Sequence, residues 1–426
     1  MTGVQLLYGR AGLEVTVPSW ATVIAPIDLP AVADEQAAVE ASLARPMAGP
    51  PLAEIIEPGR PTVVVFPDIT RPMPNRTVLP PLLAALERLG CGPREVTLLC
   101  ATGTHRPATR SEHVELLGED LVRRYRVRDH AAAADAAHVE VGQEDGAPVL
   151  IDREYVEAAN RVVTGFVEPH FFAGFSGGRK GVCPGIAGLP TILEAHSPRR
   201  IADERATWAV LGDNPVDAFV TAAAALAPPS FSVDVTINRA RRLTGVFSGA
   251  LPESHRLACA FVEQTAIRRV PEPFDIVVTT NAGFPLDRNL YQAVKGMAAA
   301  ERIVRPGGTI IVAAECADGM PDEGEFARVL ASSQSPAQLM STDVAPSLDR
   351  WQAQVLGRVC LKAEVVLVSD GLTAAQARTA HLGFAPSVEA ALAAARARLG
   401  DAASVAVLPE GPLTVATVDS RIPERP

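Results

Sequence analysis

Residues 163–196 read VTGFVEPHFFAGFSGGRKGVCPGIAGLPTILEAH. The fold is predicted from this stretch first and then from the sequence before and after it. The stretch begins as a β-branched strand, crosses a glycine-rich turn at 176–180, and ends at His196 after a short predicted helix, 190–195. Glycine recurs along it, at 174, 177, 178, 181, 185 and 188. So much bare backbone predicts amides open to an anion or a flat ligand. Lys180 ends the turn, where its amine could reach that ligand as a cation or a nucleophile.

Strands that end in polar loops recur upstream of this turn. Buried-strand runs at 62–66, 96–100 and 161–166 each lead into a polar loop, and a helix is predicted at 77–89 between the first two. This alternation is typical of a mostly parallel sheet with helices on its faces. Such sheets bind ligands at the carboxyl ends of their strands. The sequence therefore predicts a site at that edge.

A domain boundary is predicted near 269–274, where prolines interrupt a helix that starts at about 252. Strand and helix patterns then restart, with strands at 275–280, 309–314, 363–368 and 405–408 and an amphipathic helix at 388–398. We expect an α/β protein of two domains, each a mostly parallel sheet flanked by helices. Residues 1–270 would form the N-terminal domain with the glycine-rich turn, and residues 271–426 a smaller C-terminal domain.

Composition excludes several classes of protein. The 426-residue chain carries a net charge of -10, which argues against a general nucleic-acid partner because phosphate contacts need a concentrated basic face. Its six cysteines show no C-x-x-C spacing, which disfavours a disulfide framework and a cysteine-rich zinc site. The N-terminus does not resemble a signal peptide, and no stretch approaches the ~18 apolar residues of a membrane span. We expect a cytoplasmic protein that is not bound to a membrane.

Two histidines stand out as acid/base candidates. His105 and His170 follow different strands of the predicted parallel sheet, and an imidazole titrates close to neutral pH. Such a pair can act as base on one face of a substrate and acid on the other, as inversion of a stereocentre requires. A lone loop histidine is nevertheless more often a surface residue. His196 offers a ligand for a borderline metal such as Zn, Cu or Ni.

Other polar residues of these loops leave alternatives open. Asp68 and Arg71 share one proline-bounded turn, where the guanidinium suits a carboxylate or phosphate ligand but could equally form a local pair with the aspartate. Cys183 is expected to be a small buried thiol. Positions 288, 291, 292 and 295 fall on one face of a helix predicted at 289–300, because residues three and four apart are neighbours. That face could present Tyr291, Gln292 and Lys295 to a cleft between the domains.

A set of sequence motifs extends over much of the chain. The motifs are D-x-T-R-P at 68–72, G-T-H-R-P at 103–107, E-P-H-F-F-A-G-F-S-G-G-R-K at 168–180, P-G-I-A-G at 184–188, His196, and Y-Q-x-x-K at 291–295. Together they resemble the lactate racemase family that uses a nickel-pincer nucleotide, and the resemblance spans roughly residues 60 to 300. It implies a racemase or epimerase with its active site in the interdomain cleft, which inverts C2 of a 2-hydroxy acid by reversible hydride transfer.

The same resemblance assigns roles to individual residues. It implies His105 and His170 as the acid/base pair, Lys180 as the covalent attachment point of the nickel-pincer nucleotide, and His196 as the protein ligand to nickel. The remaining cofactor contacts would be Asp68, Ser176, Gly177, Gly178 and Tyr291. The substrate contacts would be Arg71, Gln292 and Lys295. Enzymes that synthesise the cofactor would be partners of the chain. The substrate itself stays open among 2-hydroxy acids.

Two other classes of function remain possible from the sequence. In a metal-dependent hydrolase, His105, His170 and His196 would bind Zn²⁺ around an open water position. In a non-enzymatic nucleotide-binding protein, the glycine-rich turn would act alone. Phe171, Phe172 and Phe175 could shape a substrate pocket, although aromatic residues at such spacing are more often core.

Overall fold

The computed structural model describes residues 1–321 and 324–419. Its strands, in chain order, are β1 (Thr2–Leu6), β2 (Leu13–Val17), β3 (Thr22–Val23), β4 (Thr62–Pro67), β5 (Val96–Ala101), β6 (Arg126–Asp129), β7 (His138–Glu144), β8 (Ala147–Asp152), β9 (Asn160–Phe166), β10 (Pro169–His170), β11 (Gly174–Phe175), β12 (Phe231–Ile237), β13 (Leu243–Gly249), β14 (Ile267–Val270), β15 (Phe274–Thr280), β16 (Val304–Ala313), β17 (Glu364–Val368), β18 (Gly383–Phe384), β19 (Val405–Leu408) and β20 (Val415–Val418).

Helices lie between many of these strands. They are α1 (Glu35–Ala44), α2 (Leu52–Ile55), α3 (Asn75–Arg88), α4 (Arg110–Leu117), α5 (Glu119–Arg124), α6 (Arg153–Glu157), α7 (Leu189–Ala195), α8 (Pro198–Ala202), α9 (Pro215–Leu226), α10 (Glu253–Ala266), α11 (Leu290–Glu301), α12 (Phe326–Ser332), α13 (Pro336–Leu339), α14 (Arg350–Lys362), α15 (Ala374–Thr379) and α16 (Val388–Leu399). A 3₁₀ turn, Gly178–Gly181, carries Lys180. No helix in these ranges is long and apolar enough to cross a bilayer.

The chain divides into two compact units. The first unit comprises Asp28–Ala195 and Ala209–Gln264, and the second comprises Met1–Ile27, His196–Trp208 and the chain from Thr265 onward. The division at 264/265 lies close to the boundary predicted at 270/271. Two segments, 1–27 and 196–208, nevertheless cluster with the C-terminal part rather than with the N-terminal domain to which the sequence pattern assigned them.

The first unit is built on a six-stranded sheet of order β13-β12-β9-β4-β5-β6. Every neighbouring pair is parallel except β12 with β13, which form an antiparallel hairpin at one edge. The central strand β4 is buried from Thr62 to Phe66, as expected for a parallel strand covered on both faces. One apolar cluster joins this sheet to α1 and α3, whose buried residues include Val39, Leu82 and Leu86.

The second unit contains a fully parallel six-stranded sheet of order β18-β17-β16-β15-β19-β3. Helix α16 covers one face, and its buried residues Val388, Ala391, Leu392 and Ala395 recur at helical spacing. The predicted strands at 275–280, 309–314, 363–368 and 405–408 all belong to this sheet. The predicted α/β class, with two mostly parallel sheets flanked by helices, is therefore confirmed. The sequence patterns did not identify β14 and β20, which pair with each other.

Candidate active site

The predicted polar loops lie at one edge of the first unit's sheet. Strand β4 pairs in parallel with β5 and β9, with Pro67 opposite Ala101 and Val65 opposite Val163. Because the three strands run the same way, the loops that follow them leave the sheet at the same edge. The amide of Gly103 donates to the carbonyl of Gly185 at 3.0 Å, so the loop after β5 contacts the turn that follows Lys180.

His105 is held by a carboxylate. Its Nδ1 lies 2.7 Å from Oδ2 of Asp68, and the Thr70 hydroxyl donates to Oδ1 of the same carboxylate at 2.7 Å. Burial alone would raise the pKa of Asp68, but the hydrogen bond and charge of His105 outweigh it, and the pKa is lowered. A carboxylate that accepts from Nδ1–H leaves the Nε2 lone pair of His105 available as a base. The half-exposed ring is therefore oriented and reactive at its outer nitrogen.

Arg71 stays in the turn that it shares with Asp68. Its backbone amide donates to the Asp68 carbonyl at 3.1 Å, and its charge contributes to the lowered pKa of the Asp68 carboxyl. The closer partner of that carboxyl is His105, which the sequence did not pair with it. The guanidinium of Arg71 is half-buried, in a place suited to an anionic group.

His170 is held by packing. It belongs to the short β10–β11 hairpin, is 7% exposed, and packs in a cluster of three rings, with Phe171 stacked at 5.0 Å, Phe172 edge-on at 4.5 Å, and the two phenylalanines 4.4 Å from each other. The backbone amides of Phe172 and Ala173 both point at its Nδ1, at 3.5 and 3.3 Å. With Nδ1 as acceptor, the neutral ring carries its proton on Nε2. Two of the phenylalanines in this stretch thus pack against the histidine and against each other.

Lys180 belongs to the same aromatic cluster. Its Nζ lies 5.6 Å from the centroid of the Phe172 ring, which also contacts His170 and Phe171. The lysine is half-buried, and the aromatic face stabilises a cationic amine. His170 and Lys180 therefore both contact the Phe172 ring.

Arg179, which the sequence did not single out, fastens this hairpin. The guanidinium is 4% exposed and pairs with Asp217 of α9, Nε to Oδ1 at 2.7 Å. It also donates to the carbonyls of Ala173 and Phe175. The side chain therefore connects the hairpin that carries His170 to a helix of the first unit.

The glycine-rich turn is shaped by a buried carboxyl. Oδ1 of Asp234, from β12, accepts the Gly178 amide at 2.8 Å. A Cβ at Gly165 would lie 2.2 Å from that oxygen and one at Gly177 2.8 Å from it, so these positions need glycine to make room for the aspartate. The expectation that the turn leaves its amides open is therefore wrong for Gly178. Burial raises the pKa of Asp234 to about 7, and its Oδ2 has no partner among the described residues.

Ser176 and His255 complete the support of the turn. The Ser176 hydroxyl donates to the Phe166 carbonyl at 2.8 Å and accepts the Glu168 amide at 2.9 Å, so it closes the turn onto the end of β9. His255, buried in α10, has Nε2 2.8 Å from the Ser176 carbonyl. Burial and the Arg179 charge lower the pKa of His255 to about 3, so its ring is neutral and donates from Nε2. Its position on the inner face of a helix was the only sequence signal for this role.

Cys183 is fully buried, as expected, and burial raises its pKa to about 12. All six cysteines are free thiols, in agreement with the absence of a disulfide framework predicted from their spacing. No cysteine of the turn is therefore activated as a nucleophile.

The second unit carries the remaining predicted residues. His196 is 8% exposed, and its ring centroid lies 4.8 Å from that of Trp351 in α14. The indole Nε1 of Trp351 donates to the Tyr291 hydroxyl at 3.2 Å, so the tryptophan links His196 to α11. Trp351 is 7% exposed and was missed because nothing in its local sequence distinguishes it from a core residue.

Helix α11 presents the predicted face. Tyr291, Gln292 and Lys295 are half-buried, and Nζ of Lys295 donates to Oε1 of Gln292 at 2.7 Å. Arg288 does not share this face, because the helix starts after the cap residue Asn289 and the arginine pairs instead with Asp318. That part of the prediction is wrong. An amide and an ammonium side by side can bind a carboxylate.

Comparison with known proteins gives a consistent result. Family profiles described as "Lactate racemase N-terminal domain" and "Lactate racemase C-terminal domain" match residues 8–209 and 270–416. The chain is 37% identical to a lactate racemase of Lactiplantibacillus plantarum over 88% of its own length and 90% of that protein. It is 35% identical to a lactate racemase of Thermoanaerobacterium thermosaccharolyticum over 88% of its length and 89% of that protein.

Solved structures agree with the sequence matches. The structure of the lactate racemase apoprotein from T. thermosaccharolyticum superposes with a TM-score of 0.91 at 32% identity, covering 97% of this chain and all of that one. A Thermotoga maritima protein superposes with a TM-score of 0.68 at 18% identity, covering 92% of this chain and all of that one, and shares the fold. These matches favour a racemase over the hydrolase and the nucleotide-binding protein that the sequence left open. The chain belongs to the lactate racemase family, and it is an isomerase.

Proposed function

We propose that the chain inverts C2 of a 2-hydroxy acid, with His105 and His170 as the acid/base pair and a nickel-pincer nucleotide carried on Lys180. The observation that carries this proposal is a pair of imidazoles that follow strands at one edge of the sheet and are oriented by different contacts. His105 is bonded to a carboxylate through Nδ1, and His170 faces two backbone amides through Nδ1. Each histidine is thereby oriented with Nε2 as its reactive atom.

The donor set fits the proposed cofactor. The first unit offers a half-buried amine, Lys180, on a turn fastened by Arg179 and Asp234. The second unit offers a buried imidazole, His196, against Trp351. An amine suits covalent attachment, and an imidazole is a ligand that nickel accepts. When bound, the nucleotide supplies a group that takes a hydride from C2 of the substrate and returns it.

The chain's own residues then handle the proton and the carboxylate. His105 accepts the hydroxyl proton at Nε2, and Asp68 stabilises the imidazolium that forms. His170 binds the oxygen of the planar 2-keto acid through Nε2–H and, as the imidazolium, supplies a proton when the opposite face reacts. Before the next turnover His105 releases the proton that it accepted and His170 takes one up from solvent, so protons balance. Arg71, Gln292 and Lys295 bind the carboxylate. Asp68 therefore acts on the substrate through His105, rather than as the cofactor contact that the resemblance implies.

The proposed contacts to the nucleotide are Ser176, Gly177, Gly178 and Tyr291. The Ser176 hydroxyl and the Gly178 amide are already used inside the turn, so these residues would meet the cofactor mainly through backbone shape. The relatives are named as lactate racemases. We therefore take as the substrate class the 2-hydroxy acids, which share the carboxyl-carbinol end of lactate. Enzymes that make the nucleotide would supply it to Lys180.

Intact-protein mass spectrometry with nickel quantification, after co-expression with cofactor-making enzymes, tests this proposal. The wild-type chain should carry added mass and about one nickel. Lys180→Ala and the charge-preserving Lys180→Arg should carry neither added mass nor activity, whereas Lys362→Arg, far from the turn in sequence, should match the wild type. An active wild-type preparation whose mass is unmodified would contradict the proposal.

Isotope labelling tests the reaction itself. Substrate deuterated at C2 should retain its label through racemisation in ordinary water. Loss of the label to solvent at the rate of inversion would indicate proton abstraction from C2 and would overturn the hydride assignment, while leaving family membership intact.

A further inference from the structure

Three side chains of types that can bind a metal lie close together near the ends of β5 and β6. Cys100 comes from β5, His113 from α4 and Asp129 from β6, and one ligand atom of each lies within 4.8 Å of the other two. The His113 Nε2 is 3.1 Å from Oδ1 of Asp129. The thiol is fully buried, and the side chains of His113 and Asp129 are 12% and 14% exposed. The cluster is thus enclosed but can be reached from solvent through two of its members.

Local structure fixes all three positions. Cys100 and Asp129 are register partners in the parallel β5–β6 pair, so their side chains project from the same face of the sheet. His113 lies in the first turn of α4, whose start is set by a capping box between Thr109 and Glu112. Three separate elements therefore meet at this point.

The electrostatic surroundings favour a cation. In the described part of the chain, Asp129 forms no ion pair with a lysine or arginine, and its only pairing of that kind is with His113. The guanidinium of the adjacent Arg128 is engaged by Asp152 and Glu154. Burial raises the pKa of the Cys100 thiol, and the carboxylates of Asp68 and Asp129 raise it further. Within the residues that the structure describes, the negative charge of Asp129 is therefore not balanced by a lysine or an arginine.

We propose that Cys100, His113 and Asp129 bind a thiophilic divalent cation of the Zn²⁺ type. The thiol loses its proton to solvent as the sulfur–metal bond forms, Nε2 of His113 and the Asp129 carboxylate supply the second and third ligands, and water completes a tetrahedron. A mixed sulfur, nitrogen and oxygen set excludes Mg²⁺ and Ca²⁺, which prefer oxygen ligands alone. The metal would close the segment from residue 100 to residue 113, which carries His105. This site is separate from the nickel-binding residue of the proposed function.

Titration of the full-length chain with Co²⁺, a spectroscopic substitute for Zn²⁺, tests the site. The wild type should bind with a sulfur-to-cobalt charge-transfer band, and the band should persist in His196→Ala and in Cys360→Ser. It should disappear in Cys100→Ser. His113→Gln and Asp129→Asn should weaken binding at least about 10-fold, because even loss of an outer contact to a ligand costs that much. Unchanged circular dichroism would show that each variant is folded.

X-ray absorption of the zinc-loaded wild type gives a result that does not depend on variants. One sulfur at about 2.3 Å with nitrogen and oxygen ligands is expected. A spectrum without sulfur, a wild type that develops no charge-transfer band, or a Cys100→Ser variant that keeps the band would each overturn the proposal.

Discussion

The two histidines of the first unit are held by different physical means. The side chain of His105 is 47% exposed, sits in a loop, and depends on one short contact to the Asp68 carboxylate. His170 is 7% exposed, packed against two phenylalanine rings, on a hairpin fastened by a buried arginine. Charge orients the first ring and packing orients the second. The loop can therefore lose its orientation at little cost in stability, whereas the hairpin cannot.

The largest effect should come from removing either ring. His105→Ala and His170→Ala are each expected to lower kcat about 10²- to 10⁴-fold, the usual worth of a general acid or base. Only His170→Ala should also destabilise the protein, because it leaves a cavity beside the Phe171 and Phe172 rings. Steady-state kinetics with both enantiomers and urea unfolding measure the two effects. Equal loss of stability in the two variants would contradict the distinction between the rings.

Substitution of two arginines tests the ion pairs in the segments that carry His170 and His105. Arg179→Ala should cost about 3–5 kcal/mol of stability, because it leaves the buried Asp217 carboxylate without compensation. Arg106→Ala removes an exposed pair with Glu112 in the loop of His105 and should cost less than about 1 kcal/mol. Urea unfolding of both variants gives the comparison. A cost for Arg179→Ala as small as for Arg106→Ala would show that the hairpin does not depend on its buried ion pair.

Asp234, which binds the turn after the hairpin of His170, should make the unfolding free energy depend on pH. Burial raises the pKa of this carboxyl from 3.8 to about 7, so its contribution to stability is present below pH 4 and is lost as the pH rises to about 7. The loss is at most about 4 kcal/mol over this interval. Asp234→Asn keeps the shape without the titration. The difference in unfolding free energy between wild type and variant should therefore move in favour of the variant from pH 4 to pH 7, and a constant difference would contradict the assignment.

The smallest effect is expected for the carboxylate that holds His105. Asp68→Asn keeps the size of the side chain but removes the charge, and a hydrogen bond to a charged group is worth about 1.5–3 kcal/mol. We expect kcat to fall about 10- to 100-fold with little change in stability. Asp120→Asn, at an exposed pair on α5, is the matched control. Wild-type kinetics in Asp68→Asn would show that His105 needs no oriented partner.

Much of the fold and part of the site were predictable because they depend on local patterns. Buried runs such as 62–66 and 96–100 predicted parallel strands, and the polar loops after them do leave one edge of the sheet. The face of α11 with Tyr291, Gln292 and Lys295 followed from helical spacing. Position 288 was wrongly placed on that face, because the capping role of Asn289, which precedes the first helical residue, was not recognised.

The buried polar partners were not predictable from these patterns. Asp234 reaches Gly178 because β12 pairs beside β9, and Arg179 reaches Asp217 because α9 packs near the turn. The glycines of the turn were attributed to a ligand, whereas at Gly177 the side chain of Asp234 occupies the space that a Cβ would need, as it also does at Gly165 in β9. A single sequence does not indicate which residues so far apart along the chain will contact each other.

The sequence by itself determined the α/β class, the edge at which the polar loops lie, and the motifs that place the chain among lactate racemases, because strand burial, helical spacing and motif residues are local properties. Tertiary structure alone decided that Asp68 pairs with His105, that His170 and Lys180 both contact Phe172, and that Trp351 lies against His196. The physical reason is that a buried polar or aromatic group takes its partner from whichever strand or helix the sheet order brings beside it.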